Sequence, residues 1–328
     1  MSNRVLNWGL LSTARINRAL IPAVKASRRN RLVAVASRNQ EAANAYAEKW
    51  EIERALGSYE ALLADPEIDV IYNSLPNHLH AEWTIRALHA GKHVLCEKPL
   101  ALTLQDVDAM ADAATQAARV LQEAFMYRHH AQTLKVEQMV RGGELGRLQM
   151  IRGAFTYRLQ REGDIRLKKD LGGGSIWDVG CYPISYSRML AASEPVEAFG
   201  WQAADPEGTD LSFVGQLRFA EDLFAQFDSS LVWPFQWYMR IIGADAILDV
   251  PSPYKPGLHE KLVLTRGDQV TEIEVDGAEL YSGEVEDMAD AILLGKAPRV
   301  SLMDSRGNVA TIQALIRSAE QGRRVAIA

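Results

Sequence analysis

The chain has 328 residues, with 36 Lys+Arg against 42 Asp+Glu, a formal net charge of −6, 48% apolar residues and 24% charged residues. That composition is too apolar for a disordered polymer, too charged for a membrane bundle, and too acidic for a nucleic-acid-binding surface, which is normally basic. The length exceeds what one hydrophobic core usually serves, so two domains are expected.

No stretch approaches the roughly 20 apolar residues that span a bilayer. The apolar part of residues 1–17 is short and is broken by Asn7 and Arg15, unlike a secretion signal. Cys96 and Cys181 are the only cysteines. Two thiols in so long a chain predict a reducing compartment, by default the cytoplasm.

Residues 4–9 form an apolar run that predicts a buried strand. Residues 14–25 follow with helical spacing at Ile16, Leu20 and Val24, interrupted by Pro22. Residues 31–37 predict a second strand, 40–50 and 59–64 helices, and 69–75 a third strand. Residues 81–90 predict a helix closed by Gly91, a residue suited to the left-handed position after a helix. Residues 92–97 read as a strand, 104–118 as a helix and 119–124 as a strand. Alternation of this kind predicts a parallel sheet covered on both faces, a doubly wound nucleotide-binding fold over residues 1–125.

Beyond residue 146 the pattern changes. A strand at 148–158 and a helix at 175–190 are followed by a run of strands from 196 to 275, separated by short turns such as Ala220-Glu221-Asp222 and Arg266-Gly267-Asp268. Helices at 283–294 and 304–321 close the chain. Residues 126–328 therefore read as an α+β domain with a mostly antiparallel sheet.

The first strand–turn–helix lacks the glycines of G-x-G-x-x-G: Ser12, Ala14 and Asn17 stand in their places. Ser and Ala are small enough for a backbone to approach a pyrophosphate at a helix N-terminus; Asn17 puts close helix–sheet packing in doubt. An ordinary strand–turn–helix accounts for the motif equally well. The second strand ends in Ser37-Arg38-Asn39, where an NAD site usually carries an acid for the ribose 2′-OH. Ser and Arg can bind a 2′-phosphate that a carboxylate would repel, which favours NADP while leaving NAD possible. The bland reading of Arg38 is a solvated surface arginine.

Glu97-Lys98-Pro99 and Pro76-Asn77-His78-Leu79-His80 follow strands whose carboxyl ends share one sheet edge, where open α/β sheets bind ligands. His78 and His80 alternate with no Cys close in sequence, and no metal is expected. In Gly172-Gly173-Gly174-Ser175-Ile176-Trp177-Asp178-Val179-Gly180-Cys181-Tyr182-Pro183, Asp178 and Tyr182 are four apart and share a face if the segment is α-helical. Asp178 could equally complete a capping box with Ser175 as N-cap, and Tyr182 could simply pack. A tyrosine hydroxyl, with an ordinary pKa of about 10, is lowered beside an ammonium and can then exchange a proton with a sugar alcohol.

Together these segments resemble the glucose–fructose oxidoreductase, inositol dehydrogenase and rhizopine-catabolism family (Gfo/Idh/MocA). The resemblance is carried by residues 8–16 (WGLLSTARI), 36–38 (ASR), 69–83, 91–101 (GKHVLCEKPLA), 123–132 (EAFMYRHHAQ) and 172–184 (GGGSIWDVGCYPI). It implies a Rossmann domain followed by a domain with an open-faced antiparallel sheet. It implies catalytic roles for Lys98, Asp178 and Tyr182. It places cofactor at Ser12, Thr13, Ala14, Arg15, Ile16, Ser37, Arg38, Leu75, Pro76, Asn77, His80, Glu97 and Lys98, with Asn73 in the same loop and Arg128 and His130 near substrate. The tyrosine at 182 fits the branch of dimeric dihydrodiol dehydrogenase and NADP-dependent D-xylose dehydrogenase.

The expected activity is hydride transfer between NADP and a cyclic polyol or sugar, either an aldopyranose such as D-xylose oxidised at C1 or a trans-dihydrodiol. The alternatives are a keto-sugar or anhydro-sugar reductase, or a nucleotide- or sugar-sensing regulator without turnover. Neither nucleic acid nor membrane is expected as a partner. Aromatic strands between 211 and 241 predict mostly inward packing, and any rings on the open sheet face would favour a homodimer or homotetramer. Arg161, Arg166, Lys168 and Lys169 could meet an anionic substrate, but read better as a solvated loop face.

Overall fold

A computed structural model describes residues 4–161 and 163–327. By internal contacts the chain divides into two compact units, Met1–His129 with Tyr281–Arg306, and His130–Leu280 with Gly307–Ala328. Beyond the single boundary expected near residue 125, the chain thus passes between the units two further times, because residues 281–306 return to the first unit and the end of the chain rejoins the second.

The first unit alternates as the apolar pattern requires: β1 (Leu6–Leu10), α1 (Asn17–Ala26), β2 (Asn30–Ala36), α2 (Gln40–Trp50), β3 (Arg54–Leu56), α3 (Tyr59–Ala64), β4 (Val70–Asn73), α4 (His80–His89), β5 (His93–Glu97), α5 (Leu104–Ala117) and β6 (Leu121–Ala124). The strands pair in the order β3-β2-β1-β4-β5-β6, all parallel. Strands such as Val70-Ile71-Tyr72-Asn73 are buried throughout, as a sheet covered on both faces demands. Helix starts follow the local chemistry: the side chains of Asn39, Ser58 and Thr103 accept the main-chain N–H of Ala42, Ala61 and Asp106. Gly91 adopts φ +78° behind α4.

The second unit continues with α6 (Ala131–Arg141), β7 (Leu148–Thr156), α7 (Cys181–Ala191), β8 (Glu197–Ala204), β9 (Asp210–Arg218), β10 (Phe224–Ser230), β11 (Gln236–Gly243), β12 (Ile247–Val250), β13 (His259–Arg266) and β14 (Gln269–Asp276). Then α8 (Ser282–Leu294) lies in the returning segment, α9 (Leu302–Gln321) begins there and ends in the second unit, and β15 (Val325–Ala326) closes the chain. The second sheet has the order β14-β13-β12-β11-β7-β10-β9-β8-β15. Only β7 and β10 run parallel; every other neighbouring pair is antiparallel. Phe213, Phe227, Met239 and Ile241 are buried. The alternate positions Gln216, Gln226, Arg152 and Arg240 stand side by side in register and are exposed, which makes this the open face.

Two segments depart from expectation. Helix α6 was not legible, because its start is capped by a histidine: His130 Nδ1 accepts the Gln132 N–H at 3.2 Å. The helix expected at 175–190 is instead a π-turn, Ile176–Gly180, running directly into α7. No helix among the described residues is long and apolar enough to cross a membrane.

The returning segment is held to the first unit by apolar burial and charge. Val285, Met288 and Ala289 of α8 are fully buried, and the Arg29 guanidinium meets Glu286 and Asp290. Met288→Ala should lower the unfolding free energy by about 2–5 kcal/mol, read as a reduced denaturant midpoint with unchanged slope.

Candidate active site

The strand order of the first sheet reverses between β1 and β4, and the loops that leave their carboxyl ends meet there. Ser12 Oγ lies 2.9 Å from Ser74 Oγ and accepts the Ala14 N–H at 3.1 Å. Ser12 has φ +152°, a conformation that favours glycine, so the serine keeps the backbone its sequence position implies. Asn17 is fully buried and its amide donates to the Ser12 carbonyl at 2.8 Å. The asparagine that seemed to threaten helix–sheet packing therefore ties the first turn of α1 to the loop. Thr13, Ala14 and Ile16 are half-buried, and Arg15 is exposed. At the end of β2, Ser37 is half-buried and Arg38 is exposed. Burial pushes the Tyr59 hydroxyl up, and the Arg38 charge offsets part of that rise. These residues fit a dinucleotide whose ribose carries a 2′-phosphate: small side chains and main-chain donors at the turn, and a cation without a carboxylate at Ser37-Arg38-Asn39.

The next loop is knitted from inside. The Asn73 amide donates to the His80 carbonyl and to Thr84 Oγ1, and its Oδ1 accepts the Leu75 N–H. His80 is fully buried, with its ring nitrogens 2.8 Å from the carbonyl oxygens of Pro99 and Leu75. Burial pushes its pKa down, the two carbonyls push it up, and the charges of Lys98 and His78 push it down further. His80 thus faces main chain and joins the Leu75–Leu79 loop to the turn bearing Lys98. Leu75 is buried, while Pro76, Asn77, Glu97 and Lys98 are half-buried. The Tyr72 hydroxyl donates to Glu97, and Glu97 Oε2 accepts the Lys98 N–H at 3.2 Å. The Lys98–Pro99 peptide is cis.

In the second unit Asp178 lies in the π-turn, whose backbone does not follow the 3.6-residue repeat, so spacing by four does not by itself align it with Tyr182. Its Oδ2 accepts the Tyr157 hydroxyl at 2.7 Å and lies 3.0 Å from Arg166 Nε. Arg166 also reaches Asp164 at 3.2 Å. Burial and the Asp178 charge push the Tyr157 hydroxyl far up, and the Asp178 charge holds the Arg166 guanidinium protonated. Tyr157 is the partner that sequence reasoning missed, and Arg166, read there as part of a solvated loop face, is instead paired with Asp178. Tyr157 closes the predicted strand at 148–158, two residues beyond Phe155 and on its face, which was the available signal. Arg161, Lys168 and Lys169 are exposed. Tyr182 is 4% exposed, with Phe155 and Tyr254 ring centroids 5.5 and 5.6 Å away.

Ser175 does not cap the segment. Its hydroxyl donates to Asp210 Oδ2 at 2.6 Å and lies 3.0 Å from Ser229 Oγ. Asp210 Oδ2 also accepts the Ile176 N–H at 2.9 Å, so a carboxylate from β9 performs the cap expected of Ser175 and Asp178. The glycines follow from this packing. A Cβ on Gly174, at φ +116°, would lie 2.0 Å from Asp210 Oδ1, and one on Gly173 would lie 2.5 Å from the Arg166 carbonyl.

Arg128 and His130 have structural partners. Arg128 is buried and donates to Asp304 Oδ2 at 2.7 Å; His130 caps α6. Among the described residues no group of three or more His, Cys, Asp or Glu is arranged to hold a metal.

Residues 6–125 match the oxidoreductase family with an NAD-binding Rossmann fold, and residues 133–249 match the GFO/IDH/MocA C-terminal domain. A D-xylose 1-dehydrogenase (NADP(+)) from Haloferax volcanii is 38% identical over 97% of this chain and 98% of its own. A trans-1,2-dihydrobenzene-1,2-diol dehydrogenase from Danio rerio is 32% identical over 75% of each chain. The crystal structure of a 3-ketoreductase from Actinomadura kijaniata, in complex with NADP and TDP-benzene, superposes with a TM-score of 0.91 at 27% identity, covering 96% of this chain and 98% of that one.

Asn17→Ala leaves the buried Ser12 carbonyl without its donor, and should cost about 1–3 kcal/mol of stability in equilibrium denaturation.

Proposed function

This chain belongs to the Gfo/Idh/MocA family of oxidoreductases with an NAD-binding Rossmann fold, and we propose that within it the protein is an NADP-dependent dehydrogenase of an aldopyranose, D-xylose or a close analogue, oxidised at C1. The observation that carries the reading is the 38% identity across nearly the whole length to a D-xylose 1-dehydrogenase (NADP(+)), in a chain that has Lys98, Asp178 and Tyr182 together.

The turn Ser12–Ile16 would hold the pyrophosphate, Ser37 and Arg38 the 2′-phosphate, and Leu75, Pro76 and Asn77 the nicotinamide side, with Glu97 and Lys98 at its edge. The bound cofactor supplies the hydride acceptor. The ammonium of Lys98 binds the reacting hydroxyl oxygen and stabilises its developing negative charge. Tyr182 takes the hydroxyl proton as general base. Asp178, already oriented by Tyr157 and Arg166, accepts a substrate hydroxyl and fixes the ring. His80 acts on the cofactor only through the loops that it joins.

The reverse direction, reduction of a keto- or anhydro-sugar, is the second reading. It is favoured by the fold shared with a 3-ketoreductase, and the same residues would serve it. The buried thiols of Cys96 and Cys181 support a reducing compartment such as the cytoplasm.

We infer in addition that the open face of the second sheet mediates a homodimer or homotetramer. Phe224, 44% exposed, pairs across the strands with Met150, which in turn pairs with Ile242 and through it with Ile247. This gives an apolar row beside the polar one, and burying it would drive association. Phe224→Glu with Met150→Glu should shift the protein toward monomer in sedimentation velocity. A wild-type chain that is monomeric at all concentrations removes the proposal.

Nicotinamide reduction should be followed with NADP+ and NAD+ in parallel over aldopyranoses, inositols and trans-dihydrodiols. Lys98→Ala should abolish turnover, and Tyr182→Phe should lower kcat by about 10²–10⁴-fold, with NADPH binding nearly unchanged in both. Arg38→Ala should lower kcat/KM for NADP+ by about 10–100-fold, the loss of one charge-assisted hydrogen bond, and leave NAD+ turnover close to its starting value. Unchanged turnover in Tyr182→Phe removes the assignment of that residue.

A further inference from the structure

Asp210 is the first residue of β9 and lies 32 positions beyond Asp178 in the chain. It is 7% exposed, and its Oδ2 accepts the Ser175 hydroxyl and the Ile176 N–H. Its Oδ1 fills the space in which Gly174 has no side chain. Ser229 of β10 completes the cluster through the Ser175 hydroxyl. The partners of this buried carboxylate are thus a hydroxyl and main chain, a costly arrangement that apolar packing would replace unless the charge had a use.

We propose that Asp210 is a positioning residue for the reaction: its carboxylate holds the start of the π-turn and thereby sets where Asp178 and Tyr182 stand. The inference rests on the roles given to those two residues above. The mechanical link is short. The π-turn runs from Ile176 to Gly180 and continues without a break into α7, whose residues 181–190 are all buried. A shift at Ile176 has no loop in which to dissipate before Tyr182. A carboxylate suits the task because it only accepts hydrogen bonds, and every group turned toward it donates. The motif Gly173-Gly174-Ser175 becomes intelligible as the socket for this anchor.

The anchor works as an anion, so it depends on pH. Burial pushes the Asp210 pKa up to about 6, against the hydrogen bonds from Ser175 and Ile176 that hold it down. Five charged groups lie on the neighbouring segments. Asp178 in the turn is taken by Arg166, which also binds Asp164. Lys169 lies beside Gly208, in the turn that leads into β9. Ser229 of β10 is neutral, and its neighbour Asp228 points to the opposite sheet face. As pH falls through about 6, Asp210 gains a proton and an acceptor is lost, so kcat falls. The stability contribution has the opposite sign. The folded pKa lies above the unfolded one, so the stabilisation from protonating Asp210 is fully present below the unfolded pKa and is lost as pH rises through about 6. Loss of turnover on acidification is therefore separable from acid unfolding.

The test uses the full chain in two arms. In the first, kcat with D-xylose and NADP+ is measured from about pH 5 to 8. The wild type should show a limb near 6. Ser175→Ala removes a bond that holds the Asp210 pKa down, so the limb should move to higher pH, with little change in KM for NADP+. Asp210→Asn should lower kcat by about 10–100-fold, the scale of a small misplacement of reacting groups, and abolish the limb. In the second arm, which needs no substrate, hydrogen–deuterium exchange of peptides covering 174–182 should be at least about tenfold faster in Asp210→Asn than in wild type, with exchange elsewhere in the unit unchanged. A limb that stays in place in Ser175→Ala, or unaltered exchange in Asp210→Asn, overturns the proposal. Tyr182→Phe, run beside them, keeps the two readings apart: full turnover there removes the role of Tyr182, and the hold of Asp210 on the turn is then judged by exchange alone.

Discussion

All six strands of the first sheet run in one direction, so their carboxyl ends fall on a single edge, and the candidate site residues of the first unit stand on the loops that leave it. β1 delivers Ser12, β2 delivers Ser37 and Arg38, β4 delivers Leu75 to His80, and β5 delivers Glu97 and Lys98. Both faces of this sheet are buried, so the strands cannot slip by one residue without forcing polar groups into the core. The loops inherit that rigidity. Ser12 meets Ser74 where the strand order reverses, and His80 meets the main chain on both sides of its ring. Substitutions at the glycine positions are absorbed because side-chain hydrogen bonds replace what glycine supplies: Ser12 keeps the unusual backbone, and Asn17 secures it.

The second unit fixes its candidate groups by a different route. Its polar groups come from segments far apart in the chain, with Tyr157 just after β7, Arg166 in the following loop, Asp178 in the π-turn and Asp210 at the start of β9. Two carboxylates serve the same turn with opposite partners. Asp178 is matched by a guanidinium and a phenol, whereas Asp210 is matched by a hydroxyl and main-chain amides. With no cation beside it, Asp210 is left to burial, which pushes its pKa up. A π-turn here is consistent with the tendency of such turns to occur where side chains are aimed for function.

Much of this was legible beforehand. The alternation of apolar strands and amphipathic helices, and Gly91 behind α4, each follow from local chemistry, and local chemistry is written in the order of residues. The triple glycine stands in the sequence without the residue it accommodates, because Asp210 lies 32 residues beyond Asp178 on another strand.

The sequence by itself determined the fold class, the two-sheet plan, the strand ends that carry the cofactor-side loops, and the identities of Lys98, Asp178 and Tyr182 as candidates. These depend on periodicity and on short motifs, which need no partner from elsewhere in the chain. Only the tertiary structure decided that residues 281–306 return to the first unit, that Asn17 supports the turn, that His80 faces main chain, that Arg128 is taken by Asp304, and that Asp210 replaces Ser175 as the cap. Apart from the bonds of Asn17 to Ser12 and of His80 to Leu75, which span five residues and depend on how the turn folds back, each of these joins residues distant in sequence. Those distant partners are chosen by the packing of whole elements, and no short window along the chain contains both ends of the contact.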